Sequence, residues 1–264
     1  MSRLALVITT HERADALAAV LASVAWQARA PDAIVIADDG SGAATRELID
    51  GFSRRSSAPV IAVRQEHRGF RVARLRNLAI AATSADYLVF IDGDMLLHPE
   101  FIADHARLAR RGWFTQGVRV HADPELTRAL IEAPASPAPF APGLGGLRRA
   151  DLLRAPVLST LARRPANALV AIKSCNFAAW RDDLVRVNGF DEAFEGWGPE
   201  DKDLALRLRH AGLRRQTLLF GGIATHLHHP AAPRSGLPAN LARLAATRRE
   251  RRVRCIRGLD SHGP

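Results

Sequence analysis

Leu4-Ala5-Leu6-Val7-Ile8 is a continuous apolar run, the signature of a β-strand buried on both faces. Leu17, Val20, Leu21 and Val24 then recur at helical spacing between Ala14 and Gln27. Ala33 to Ala37 is a second apolar run, ending in Asp38-Asp39-Gly40-Ser41. Ala43 to Phe52 suits a helix, Val60 to Val63 a third strand, Val72 to Ala82 a helix, and Tyr87 to Ile91 a fourth strand. This alternation predicts an α/β fold with a mostly parallel central sheet flanked by helices and joined by right-handed crossovers. No G-x-G-x-x-G follows the first strand, which disfavours an ordinary dinucleotide-binding domain.

The second half is less regular. Pro99 to Arg110 reads as a helix with Pro99 in its first turn, and Trp113 to Val120 as one strand. Ala133 to Pro142 is rich in Pro and Ala and leads into Gly143, Gly145 and Gly146, so 133–167 is expected to be a loop or lid. Within it Arg148 to Pro165 is basic and partly helical in pattern, and Ala168 to Lys173 returns to strand character. Glu200 to Ala211 reads as a helix stopped by Gly212, and Arg214 to Phe220 as a late strand running toward His226. Ala239 to Arg257 reads as an arginine-rich amphipathic helix. The expected organisation is one domain over 1–232 and a basic helical tail over 233–264.

The chain has 264 residues, 47% of them hydrophobic, enough for one large domain with a substantial core. Its net charge of +10 is carried almost wholly by arginine, Lys173 and Lys202 being the only lysines. A basic balance suggests anionic partners such as nucleotide phosphates, nucleic acid or an acidic membrane surface; arginine- and alanine-biased coding is the bland alternative. Cys175 and Cys255 imply no disulfide framework, which fits a reducing cytoplasm. Leu4 to Ile8 is too short for a signal sequence, and no apolar stretch reaches the roughly 18 residues of a membrane span. A cytoplasmic protein is expected, with peripheral attachment at the inner membrane as the alternative.

Three strand ends carry polar residues that a parallel sheet would bring to one edge, where ligands bind in such folds. Thr9-Thr10-His11-Glu12-Arg13 follows the first strand, Asp38-Asp39-Gly40-Ser41 the second, and Asp92-Gly93-Asp94 the fourth. Paired carboxylates suit Mg²⁺ or Mn²⁺ held together with substrate phosphates. Asp39 could accept the imide N–H of a uracil ring, and the forks of Arg74 and Arg76 could meet a diphosphate. Turn and cap chemistry is the structural reading for Asp38 and Ser41, and a solvated surface that for the arginines. A second cluster runs from Asn188-Gly189-Phe190-Asp191-Glu192 to Gly196-Trp197-Gly198-Pro199-Glu200-Asp201-Lys202-Asp203. Acids at a helix start can simply complement the macrodipole, the favoured reading for Glu192 and Asp203. Glu200 and Asp201 instead follow a turn that offers a flat aromatic face for sugars beside a carboxylate able to take a hydroxyl proton. The third cluster is His226-Leu227-His228-His229, a source of metal ligands or a polar turn before Pro230.

Taken together these residues resemble the inverting family 2 glycosyltransferases with the GT-A nucleotide-diphospho-sugar transferase fold. The resemblance runs from Leu6 to Arg13, through Leu17, Leu21, Ser23, Gln27 and Pro31, to Ile34–Ser41, and resumes at Ala73–Asn77 and Asp86–Asp94. From Cys175-Asn176-Phe177 through Asn188–Glu192 to Glu200-Asp201 the chain is similar to the galactosyltransferase-type region of chondroitin-polymerase-like enzymes. The resemblance implies a nucleotide-sugar-binding half over 1–120 and an acceptor and catalytic half over 168–232. It implies transfer from a UDP-sugar to a glycan or lipid-linked hydroxyl acceptor, such as a bacterial lipopolysaccharide or capsule precursor, with Mn²⁺ or Mg²⁺. Asp39 would bind the base, Asp92 the ribose or metal, and Asp94 the metal; Thr9, His11, Glu12, Arg13, Arg74, Arg76 and Gly93 would complete the nucleotide site. His226, with His228 as competitor, would be the later metal ligand. Asp201 would be the general base, Glu200 would orient the acceptor, and Trp197 and Asn176 would contact substrate. His11-Glu12 stands where the family carries an aromatic-Asn pair, leaving base stacking and nucleotide choice open, and Ala43 replaces a capping Asp. The rival from another class is a non-catalytic protein binding nucleic acid or an anionic membrane through its tail, which lacks a recognisable nucleic-acid-reading element. A sugar-nucleotide pyrophosphorylase is disfavoured because no glycine-rich basic loop follows the first strand.

Overall fold

The computed structural model describes residues 2–146, 149–161, 172–230, 234 and 236–263. The first half follows the hydrophobic pattern: β1 (Leu4–Thr10), α1 (Ala14–Ala25), β2 (Ala33–Asp38), α2 (Ala43–Arg55), β3 (Val60–Arg64), α3 (Val72–Ala81) and β4 (Tyr87–Asp92). Then come β5 (Met95–Leu97), α4 (Phe101–Leu108), β6 (Trp113–Gln116), β7 (Arg119–Ala122), α5 (Pro124–Glu132), β8 (Leu144–Gly145) and α6 (Pro156–Leu161). The last elements are β9 (Asn176–Trp180), α7 (Arg181–Arg186), α8 (Glu200–His210), β10 (Arg214–Thr217), β11 (Ala224–His226) and α9 (Leu237–Glu250).

Seven strands form the main sheet in the order β10-β6-β9-β4-β1-β2-β3. Only β9 runs against the others, pairing antiparallel with both β4 and β6. Alternate residues of β4 feed the two faces: Leu88 and Phe90 join the core with Phe114, Phe177 and Phe190, while Tyr87, Val89 and Ile91 join the core with Leu17, Val20 and Phe101. Burial on both faces is why these strands read as unbroken apolar runs rather than alternating ones. Strands β5, β11, β7 and β8 form a smaller sheet beside the carboxyl ends of the main one.

The structure corrects the reading of 113–120 as one strand. The chain leaves the main sheet after Gln116 and enters the smaller sheet at Arg119. The break falls at Gly117, whose N–H donates to the Asn176 carbonyl at 2.8 Å and where a Cβ would lie 2.1 Å from the Asn176 side chain. Only a residue without a side chain lets the two strands cross so closely. The strand expected over 168–173 falls mostly outside the described residues. Ile172 and Lys173 are not in a strand, and the pairing segment is Asn176–Trp180.

The carboxyl-terminal helix is shorter than its arginine pattern suggested, because Arg251 turns left-handed at φ 50°. The residues beyond it pack back onto the domain. Cys255 and Leu259 are buried, and the Asp260 N–H donates to Asn188 Oδ1 at 2.8 Å. A buried polar clip lies beneath: Asn77 Nδ2 donates to the Phe190 carbonyl at 2.8 Å and to Glu192 Oε1 at 2.9 Å, while the Phe190 N–H donates to Asn77 Oδ1 at 2.8 Å. Arg207, wholly buried, pairs with Asp203 at 2.7 Å and donates to the carbonyls of Val187 and Gly189. Asp203 and Glu192 are thus bound into the scaffold. Replacing Arg207 by Met should leave Asp203 charged and unpaired, lowering the free energy of unfolding by about 3–5 kcal/mol in urea denaturation; a loss below about 1 kcal/mol would show that Asp203 does not depend on this partner.

Candidate active site

Parallel strands β1, β2 and β4 end at one edge, and their last residues open onto a cleft of about 620 Å³. Thr9, His11, Arg13, Asp39, Arg76, Asp92, Gly93, Asp94, Trp197 and His226 all line it. Residues from both halves of the sequence therefore share one cavity. Gly93 permits the turn between the two carboxylates, since a Cβ there would meet Thr10 Oγ1 at 2.9 Å.

Arg76 is the centre of the acidic groups. It is 3% exposed, and its guanidinium donates to Asp92 Oδ1 at 3.1 Å and Glu200 Oε1 at 3.0 Å. Thr9 Oγ1 also donates to Asp92 Oδ1, at 2.9 Å. Burial works against the Arg76 charge, but Asp92, Glu200 and Asp201 outweigh it and keep the guanidinium protonated. Burial pushes the Asp201 carboxyl up to about 7, with help from neighbouring Glu200 and against the pull of Arg76. Glu200 is raised as well, again by burial first. Neither Glu200 nor Asp201 is in the lining of the cleft; Glu200 lies behind Arg76, which holds it, and Asp201 is the next residue of α8.

Asp94 lies at the meeting of β4 and β11. Asp94 Oδ2 is 3.7 Å from His226 Nε2, 3.3 Å from His229 Nε2 and 3.5 Å from Arg13 Nη1, and Oδ1 is buried with no hydrogen-bond partner among the described residues. One ligand atom from each of Asp94, His226 and His229 lies within 4.8 Å of the others. Burial, then repulsion from Asp92, pushes the Asp94 carboxyl up to about 6. Burial and the nearby charge of Arg119 push His226 down to about 3, so its imidazole is neutral. A neutral imidazole and a carboxylate with an idle oxygen are what a divalent cation needs. His229, rather than His228, stands beside Asp94. His228 is exposed and outside that cluster, and its backbone N–H donates to Thr127 Oγ1 at 2.8 Å while its backbone carbonyl accepts from Arg13. Spacing alone did not separate His228 from His229; the direction in which the chain leaves β11 at His226 decides between them.

At the far end of the cleft His11 stacks on His67, with ring centroids 4.1 Å apart and planes 13° apart. His67 Nδ1 is 2.9 Å from Asp39 Oδ2, and Gln65 Nε2 donates to Asp39 Oδ1 at 2.6 Å. Gln65 and His67, both on the segment after β3, escaped the sequence reading because nothing local marks that loop. Arg74 is not in the lining; it donates to Gln65 Oε1 at 2.8 Å and so steadies the partner of Asp39. Glu12 is also outside the lining, its Oε1 accepting from the Gly42 N–H at 3.0 Å at the start of α2. The Asn176 amide holds the crossing of strands instead, donating to the carbonyls of Val118 and Gly222 and facing His105 at 3.0 Å. Trp197 is 38% exposed with the Arg234 guanidinium 5.2 Å from its ring centroid. Its loop is braced from the tail, since Asn240 of α9 donates to the carbonyls of Glu195 and Trp197.

The tail arginines are largely paired: Arg249 and Arg252 with Glu250, Arg254 with Asp260, and Arg257 with Glu195 at 3.8 Å. Among the described residues no helix is long and apolar enough to cross a membrane.

The model of glycosyl transferase family 2 matches residues 5–140, and that of the N-terminal domain of galactosyltransferase matches residues 163–230. A validoxylamine A glucosyltransferase from Streptomyces hygroscopicus subsp. limoneus is 28% identical over 233 residues, covering 80% of this chain and 48% of its own. A chondroitin synthase from Escherichia coli is 27% identical over 242 residues, covering 86% of this chain and 35% of its own. The chain thus spans about half, or less, of the length of these relatives. Among solved structures, S. aureus TarS 1-349 in complex with UDP superposes with a TM-score of 0.62 at 14% identity, covering 86% of this chain and 61% of its own. The mannosyltransferase PcManGT from Pyrobaculum calidifontis, in complex with GDP-Man and Mn²⁺, also gives 0.62 at 17% identity, covering 94% and 64%. These likenesses show the fold, a GT-A arrangement of mostly parallel strands with helices on both faces.

Replacing Arg76 by Gln removes the positive charge that holds the Asp201 and Glu200 carboxyls down. The Asp201 midpoint, followed by carboxyl-carbon NMR, should then rise above about 7. A midpoint that stays or falls would strip Arg76 of its neutralising part.

Proposed function

We propose, for a chain that belongs to glycosyl transferase family 2, that it moves a sugar from a UDP-sugar to a hydroxyl of a glycan or lipid-linked acceptor by single displacement with inversion. The observation that carries the proposal is the Arg76 bridge, which joins Asp92 in the cleft to Glu200, the neighbour of Asp201 at the start of α8. UDP and GDP-Man with Mn²⁺ in two proteins of the same fold support a nucleotide-sugar donor.

Asp94, His226 and His229 would hold the divalent cation, a set of two imidazoles and a carboxylate that favours Mn²⁺ over Mg²⁺. When bound, the cation supplies neutralisation of the charge that develops on the departing diphosphate. Arg13, beside Asp94, adds a fixed positive charge at the same place. Asp39, oriented by Gln65 and His67, would accept from the base, and the His11–His67 stack provides the flat surface beside it. A base seated on Asp39 has to share or displace these two partners, which is where nucleotide choice is decided. Trp197 would lie along the sugar, and Glu200, fixed by Arg76, would orient the acceptor hydroxyl. Asp201 would take that hydroxyl's proton, with a carboxyl midpoint close to neutral as a general base requires.

A panel of UDP- and GDP-sugars tests the reading, with nucleoside diphosphate release followed by chromatography. Release should need Mn²⁺ and stop with EDTA, and UDP-sugars should be the better donors; no release from any donor would sink the reading. Asp94→Asn and His226→Ala should each weaken Mn²⁺ binding by about 10-fold or more, since even outer-shell partners are worth that much. A transferred sugar with retained anomeric configuration, read by NMR, would overturn the inverting route.

Asp201→Asn should lower turnover by about 10² or more while sparing UDP binding. Because the raised Asp201 carboxyl must be ionised to accept a proton, the wild-type rate should climb with pH through about 7 and level off above it. The variant should lose that limb, and an Asp201→Asn enzyme with the same acid limb and near-normal rate would remove Asp201 from the role.

A further inference from the structure

A second cavity, of about 410 Å³, opens where β6, β7 and the approach to β9 meet. That volume falls within the range of about 300–1,000 Å³ usual for small-molecule sites. Its described lining holds Arg119, Lys173 and Arg215, with Asp151 as the acidic side chain among them. Arg119 Nη1 donates to Cys175 Sγ at 3.5 Å, and its Nε is buried with no hydrogen-bond partner among the described residues. The thiol it faces is neutral, because burial pushes Cys175 up to about 12. Lys173 has no carboxylate within ion-pair distance among the described residues, and burial together with the Arg119 charge pulls its ammonium below its usual range. His121 stands on the same wall. Arg119 and Lys173 thus bring like charges together at one cavity. Half-buried cations brought together in this way gain from an anion that enters the cavity beside them.

The cavity adjoins the donor cleft. Arg119 lines both, the His121 ring lies 5.2 Å from that of His226, and the charge of Asp201 is felt at Lys173. A ligand seated here would reach toward the metal cluster on one side and the proposed base on the other, the position an acceptor must take. We infer that this cavity is the acceptor subsite and that it selects a sugar bearing one anionic group, a carboxylate or a phosphate, which Arg119 and Lys173 engage. Arginine suits either planar or tetrahedral oxyanions through two parallel N–H donors, and lysine adds a point charge. The inference rests on the glycosyl-transfer reading for the word acceptor, but the anion preference can be measured without turnover.

Calorimetric titration tests it. Protein supplied with Mn²⁺ and UDP to fill the donor cleft is titrated with phenyl β-glucuronide, glucose 6-phosphate and phenyl β-glucoside. At least one anionic sugar should bind tenfold or more tighter than the neutral glucoside, and the stronger of the two identifies the oxyanion. Lys173→Gln is the variant of choice, because the Lys173 backbone is clamped independently by Gln116 at 2.9 and 3.0 Å. It should erase the preference with thermal midpoint and UDP affinity unchanged. Equal binding of all three sugars, or a preference that survives Lys173→Gln, would overturn the inference. UDP titrated alone is the separate control: failure of UDP to bind strikes the donor reading, while the sugar comparison still decides the anion preference.

Discussion

One guanidinium holds the candidate site together. Arg76 donates to Asp92 at the end of β4 and to Glu200 at the start of α8, residues that lie on opposite halves of the chain. A buried cation is expensive by itself, and so are buried carboxylates. Arg76 beside three of them converts those separate costs into a mutually satisfied cluster, provided the geometry is kept. That condition constrains everything around it. α3 must present Arg76 toward β4, α8 must begin at Glu200, and the Phe190 ring must lie 5.3 Å from the Arg76 guanidinium. Phe190 is in turn fixed through its backbone by Asn77, one residue along α3 from Arg76.

This arrangement explains why the amino-terminal half was legible and the rest less so. Parallel strands covered on both faces write themselves as apolar runs, and each of the four expected in the first half lies within one residue or two of its place. Sites at the ends of such strands follow from topology, so Thr9, Asp39, Asp92 and Asp94 share a cleft as their positions implied. The second half depends on tertiary contacts with no local signature. Strand Trp113–Val120 breaks only because Asn176, far away in sequence, occupies the space above Gly117. His67 and Gln65 reach Asp39 from a loop whose residues carry no pattern, and β5 is three residues long. His229 needed the exit direction of β11, and Arg119 needed the strand break, before either could be placed.

The arginine-rich tail shows how composition misleads when taken without structure. Read as charge alone, it suggests a solvated arm for an anionic surface. In the fold its polar residues brace the site. Asn240 is 2% exposed and holds the backbone of the Trp197 loop, while Leu259 enters the core beside α3. Several of its arginines meet acids of the tail or of the loop before α8. The sequence pattern extended the helix past Arg251 because arginine is a good helix former; the left-handed turn there serves the docking of the segment that follows.

The distribution of charge around Arg76 gives the site its polarity. Its two direct partners, Asp92 and Glu200, are held by hydrogen bonds, whereas Asp94 and Asp201 make no hydrogen bond to it and are lifted by burial to about 6 and about 7. At each of these two burial outweighs the cations nearby, Arg13 and Arg119 at Asp94 and Arg76 and Lys202 at Asp201, which leaves a deficit of positive charge at either end of the cluster. In the proposed reaction the two deficits have different remedies. A divalent cation at Asp94 would favour its ionised form and pull its midpoint down. Asp201, with only a proton to complete it, keeps the affinity for one that an attacking hydroxyl must satisfy. A second arginine beside Asp201 would depress that affinity, so the incomplete neutralisation at α8 is what would let Asp201 serve as a base in the proposed reaction.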